Sequence, residues 1–144
     1  MRPSSWEDCI HQTISRRVTP DAQKASSLLE TARARVAFVT AAPLTQDNAS
    51  FVFEGYYTSL LETVHALVVA KGFNVANHLC LGYYLRDVLH RDDLFRAFDD
   101  GRYKRNALVY YGKRLNLEVA RATVHSLKAV MDVLVPMTEK ALGP

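Results

Sequence analysis

The sequence predicts an all-α fold: an up-and-down bundle of four to five main helices, with short helices between them. Three observations carry this. Apolar residues recur at spacings of three and four along most of the chain. No run alternates apolar and polar residues, so no sheet is expected. The 5 prolines and 6 glycines fall mostly where helices should start or stop.

Each element can be read from its stripe and its ends. Residues 5–17 form a first helix with Trp6, Ile10 and Ile14 on one side, capped by Ser5 and broken at Thr19-Pro20. The second runs from about Pro20 to Ala41, with Thr19 as cap and Ala25, Leu28, Leu29, Ala32, Val36 and Val39 on its inner face. The third, Ser50 to Lys71, is the most hydrophobic. Phe53, Tyr57, Leu60, Leu61, Val64, Leu67 and Val68 give it the broad apolar face of a central helix, and Gly72 is its left-handed stop. A fourth spans His78 to about His90. A short piece around Leu94, Phe95 and Phe98 follows, then a helix from Gly101 to Tyr111 that stops at Gly112. Asn116 caps a last helix from Leu117 to Val135, ended by Pro136. Residues 1–18 are an N-terminal helical appendage and residues 19–144 the bundle proper.

The totals bound the function classes. With 144 residues, 49% of them hydrophobic and 23% charged, the chain has the balance of one globular domain. The formal charge of +3 is compatible with an acidic partner without being evidence for one. Neither end reads as a secretory signal, and the apolar stretch around Ala66 to Ala70 is too short for a bilayer. A cytoplasmic protein that does not engage a membrane is therefore expected. Cys9 and Cys80 lie far apart and make no metal-ligand spacing, so both are expected as reduced thiols, with Cys80 packed on a helix. No metal and no cofactor are expected: no histidine pair with a carboxylate has site spacing, and no Gly-rich phosphate loop is present.

The most unusual segment is Arg102-Tyr103-Lys104-Arg105-Asn106, followed by Tyr110-Tyr111-Gly112. On a helix Asn106 and Tyr110 share a face, and Arg102 and Arg105 lie one turn apart. Two guanidinium groups so placed can hold a phosphate, with Lys104 adding charge. Tyr110 and Tyr111 can stack on a base. The plainer alternative is a solvated basic face with two tyrosines at its edge.

Arg105-Asn106, three further residues, then Tyr110-Tyr111-Gly112 resembles the signature helix of HEPN domains, in a prokaryotic subgroup with an RN…YYG ending. Glu54-Gly55-Tyr56-Tyr57, Ala66-Leu67, Lys71-Gly72 and Asn77-His78 fit the same subgroup in order and spacing, so the resemblance covers most of the chain. It implies a bundle that pairs through its signature helices, bringing two copies of Arg105 and its neighbours into one cleft. It also implies RNA or nucleotides as ligands, with a small nucleotidyltransferase antitoxin as a further partner. Many members are metal-independent ribonucleases; others bind without cutting. In the former an arginine holds the phosphate and a histidine assists proton transfer. Here Tyr110 stands where that histidine is expected. A phenol titrates near pH 10 and is a poor base at neutral pH.

Two readings therefore stand. In one, Arg105, Asn106 and Tyr110 form a metal-independent ribonuclease centre, with Arg102, Lys104 and Tyr111 binding RNA. In the other, the same cleft binds RNA, a nucleotide or a protein partner and breaks no bond. A purely structural dimer is the third. Glu54 can support the site by pairing with Arg102 or Arg105, or simply favour the first turn of its helix. His78 can support it, or cap and pack. His65, inside the apolar helix, reads as a hydrogen-bonded helix histidine, and His125 as part of an outer face.

Overall fold

The structure is a computed structural model, and it describes residues 1–143. Its helices are α1 (Trp6–His11), α2 (Ala22–Thr40), α3 (Ala49–Ala70), α4 (His78–Tyr83), α5 (Asp92–Tyr111) and α6 (Leu117–Leu142). A π-helical turn, Tyr84–Val88, continues α4. The all-α bundle expected from periodicity is the fold. No helix among the described residues is long and apolar enough to cross a membrane.

α3 is the axis. It packs against α2 on one side and α6 on the other, and Phe53, Tyr57, Leu60, Val64, Leu67 and Val68 on it are fully buried. Leu127 and Leu134 of α6 and Leu81 and Leu85 of the α4 region close the same core. α2 crosses tightly at Gly55, where an added Cβ would collide with Val39. Gly101 has a similar role between α5 and the core: a Cβ there would lie 3.0 Å from Leu127 and 3.1 Å from Tyr57. α5 is thus drawn onto α3 just before its basic segment.

Several ends differ from expectation. α1 stops at His11, because Thr13 turns the chain through the left-handed region (φ 58°). The chain then forms β1 (Ser15–Arg17), which pairs antiparallel with β2 (Phe73–Val75), so the prediction of no sheet is corrected. Three residues per strand are too few to show alternation. The ribbon is anchored where Val18 N–H donates to Gly72 O at 2.8 Å. Gly72 does take the left-handed conformation (φ 88°), as its place after α3 predicts. Asp21, not Thr19, caps α2, accepting from Lys24 N–H. The short piece around Phe95 and the helix from Gly101 are one continuous α5, since Gly101 is buried inside it. Pro136 does not end α6, which runs on to Leu142. A proline costs a helix one N–H and crowds one carbonyl, and here the buried Leu134 and Thr138 hold both flanking turns to the core.

The cysteines are also corrected. Cys9 and Cys80 form a disulfide joining α1 to α4 across 71 residues of sequence. Both are fully buried in the main core. Sequence separation hid the pair because only the tertiary fold brings α1 beside α4. Further contacts secure the N-terminal segment: Trp6 N–H donates to Asp87 Oδ2 at 2.8 Å, and Arg86 Nη2 donates to Ser4 O at 2.9 Å. The Trp6 ring meets Phe73 and Tyr84 edge-on.

Candidate functional site

A cleft of about 430 Å³ opens where the start of α4, the middle of α5 and the N-terminal segment meet. Arg102, Arg105, Asn106 and Tyr110 line it from α5. Ala76, Asn77, His78 and Leu79 line it from the turn into α4, and Arg2 and Pro3 close the third side. Three guanidinium groups, one imidazole and two amides face this space, and no carboxylate belongs to its lining.

α5 positions its residues by helical spacing. Arg102 and Arg105 follow the buried Gly101, so they emerge at the edge of the core with their stems half-buried. Arg102 Nε donates to Asp99 Oδ1 at 2.9 Å, one turn back. That bond fixes the guanidinium through one of its five donors and leaves the others for a ligand. Arg105 Nη1 donates to Asn106 Oδ1 at 3.2 Å, and its Cζ lies 5.8 Å from the Tyr110 ring centroid. Arg105, Asn106 and Tyr110 therefore form one contact group.

His78 enters from the turn into α4. Asn77 caps α4 by accepting from Cys80 N–H at 2.8 Å. This sets the first turn, and His78 is its first residue. Its Nδ1 lies 3.2 Å from the hydroxyl of Tyr57, a buried residue of α3. Burial, then the charges of Arg105, His65 and Arg102, hold His78 below the ordinary imidazole pKa. Burial pushes the Tyr57 phenol well above its ordinary value, against the pull of Arg102 and Arg105. His78 is accordingly neutral at pH 7, and Tyr57 keeps its proton.

The other expected residues lie outside the cleft. Lys104 points toward α6, donating to Asp100 Oδ2 at 2.7 Å and to Thr123 Oγ1 at 2.9 Å. Tyr111 is 86% exposed on the outer side of α5. Glu54 makes no ion pair among the described residues; Asp99 is the carboxylate on Arg102. Glu62 instead holds Arg35 through two hydrogen bonds of 2.9 and 3.2 Å. His65, half-buried, places Nε2 3.4 Å from Val75 O, as a hydrogen-bonded helix histidine should.

The structure thus gathers Arg102, Arg105, Asn106, Tyr110 and His78. It adds Arg2, Asn77 and Tyr57, which sequence reasoning did not place at the site. Tyr57 reads from sequence as one of many core residues of α3. Asn77 carried a weak signal as a helix-start residue. Arg2 carried none, because its position depends on the disulfide and on the hydrogen bonds of the N-terminal segment. No protein-family model, no curated protein and no solved structure significantly matches this chain.

Proposed function

We propose that this chain is a HEPN-like module whose cleft binds the phosphate groups of RNA or a nucleotide. One observation carries the reading: Arg2, Arg102, Arg105 and His78 converge on a single cleft whose lining holds no carboxylate. Guanidinium groups bind phosphate bidentately, and each charge-assisted contact contributes more than a neutral hydrogen bond. Tyr110, 67% exposed at the rim, offers a flat ring on which a base can stack.

Pairing through α5 belongs to the same reading. Tyr103, Val109, Tyr110 and Tyr111 stand exposed along this helix, a concentration of large side chains suited to a second copy. A homodimer so formed would set two clefts side by side. A nucleotidyltransferase-like partner could cover the same face.

Binding of a fluorescein-labelled single-stranded RNA, followed by anisotropy, tests the proposal. Arg105→Ala should weaken binding about tenfold, the loss expected of one charge-assisted contact. It should also flatten the salt dependence by about one unit of slope. Equal affinity and equal slope for parent and variant would remove the cleft from RNA binding. Sedimentation velocity of the parent and of Tyr110→Glu/Tyr111→Glu tests the pairing; an unchanged monomer in both would refute it.

A further inference from the structure

α2 and α6 both pack on α3 and meet each other little, which leaves a groove between them. It shares no lining residue with the α5 cleft. Two cavities, of about 550 and 300 Å³, make up the groove and adjoin at Lys128, which lines both. From His125 to Pro136 the α6 wall extends about 16 Å at the helical rise per residue.

The two ends differ in character. The larger cavity is walled by Ala32 and Val36 of α2 and by Met131, Val135 and Pro136 of α6. Its charged members are Arg33, Lys128 and Asp132, and Arg33 is already bonded to Glu139 at 3.0 Å. The smaller cavity gathers Arg121, His125 and Lys128 from one face of α6, and no carboxylate belongs to its lining. None of the three makes an ion pair among the described residues. The same cavity is lined by Tyr56 and Thr40, whose hydroxyls lie 2.7 Å apart. Two hydroxyls carry two hydrogens and use one between them, so one O–H remains for a ligand oxygen. Tyr56 is 3% exposed, and Lys128 Nζ lies 5.3 Å from its ring centroid. Packing of the bundle does not require a buried phenol and three unpaired basic groups around one cavity.

We propose that the α2–α6 groove is a binding site for an amphiphilic carboxylate of the fatty-acid class. The carboxylate sits among Arg121, His125 and Lys128 and accepts from the Tyr56–Thr40 pair. The alkyl chain runs along the apolar wall toward Pro136. Charge fixes this direction: the basic groups favour the anionic head at one end, and Asp132 opposes it at the other. Each methylene taken out of water adds to binding, and the stem of Lys128 covers the chain where the cavities join. A phosphate group alone would leave the larger, apolar cavity unfilled, so an alkyl tail is the better match.

The test is calorimetric titration of the whole chain with dodecanoate, beside acetate (head without tail) and dodecyl maltoside (tail without anionic head), each below its micelle concentration. Dodecanoate should bind one-to-one, and the two partial ligands more weakly by about tenfold or more. From hexanoate to dodecanoate, each added methylene should tighten binding by up to about fourfold. Arg121→Gln/Lys128→Gln should weaken dodecanoate about tenfold. Arg105→Ala should leave it unchanged, which separates this site from the α5 cleft. Amide shifts on titration should centre on Val39, Val124 and Val135. Equal binding of dodecanoate and dodecyl maltoside would overturn the role of the basic groups. No gain with chain length would overturn the role of the apolar wall. Adsorption to phosphatidylglycerol vesicles without uptake of dodecanoate monomers would give this face to a membrane and overturn the proposal. So would a groove closed by a second copy, seen as dodecanoate binding that vanishes as protein concentration rises. Should the double variant unfold, the parent's response to the two partial ligands decides alone.

Discussion

α3 and α5 are helices of nearly equal length with opposite uses. Of the twenty-two residues of α3, fourteen are buried, whereas α5 buries three of its twenty: Leu94, Phe98 and Gly101. α3 therefore spends its sequence on the core. α5 is fastened chiefly by those three, and beyond Gly101 its C-terminal half buries no residue fully, with Leu108 packed at the core's edge and Lys104 bonded to Thr123. The fold does not need two arginines, an asparagine and a tyrosine at positions 102, 105, 106 and 110. A half-exposed helix carrying such residues on one cleft is where function can be written without cost to stability.

The sharpest way to break this comparison is to cut into each helix and read stability. Phe53→Ala removes a fully buried ring from α3 and should cost about 3–5 kcal/mol in urea unfolding. Arg105→Ala should change the same quantity by no more than about 0.5 kcal/mol. If Arg105→Ala proved as damaging as Phe53→Ala, α5 would be core after all. The second effect concerns the joint between the regions. The disulfide closes a span of 71 residues, and the chain-entropy model assigns such a closure about 4 kcal/mol. Reduction, or Cys9→Ser/Cys80→Ser, should lower stability by about 2–4 kcal/mol and raise the mobility of Arg2, seen as faster amide exchange in residues 2–11. Unchanged exchange there would show that the hydrogen bonds of Trp6 and Arg86 suffice.

Smaller and more telling is the pH dependence. His65 is held below the usual imidazole pKa by burial and by Lys24, against the pull of its bond to Val75 O; His78 is lowered by burial and its cationic neighbours. With both folded values lowered, the unfolded chain takes up these protons first. Stability should then decline as pH falls below about 6.5 and level off beneath the folded values. His65→Gln should remove part of the slope on the α3 side, and His78→Gln part on the cleft side. A stability curve flat from pH 7 to 5 would contradict the burial of both rings.

Legibility followed the range of the interactions. The spans of α2 and α3 and the start of α6 came close to their stripes, since helical period and the stops at Gly72 and Gly112 are local properties of the backbone, whereas α6 runs past Pro136 because its later turns are held by the core. The cluster Arg102, Arg105, Asn106 and Tyr110 was legible for the same reason: four positions on one helix share a face at fixed spacing. Lys104 shows the limit of that argument. It belongs to the same basic run, yet Asp100 and Thr123 draw it to α6, and spacing alone does not tell which side of a helix meets its neighbour. Likewise Tyr110 in place of a histidine looked like a missing imidazole, and only the packing of α4 against α5 set His78 beside the arginines.

By itself, then, the sequence determined that this chain is a helical bundle and that one helix carries a cationic, aromatic face, because both follow from periodicities of a few residues. Tertiary structure alone decided the Cys9–Cys80 bond, the β1–β2 ribbon, the third wall supplied by Arg2 and Pro3, and the meeting of Tyr57 with His78. Each of these joins groups at least 21 residues apart. Such contacts arise from how the helices stack, which depends on the whole core and leaves no mark in the spacing of the residues that make them.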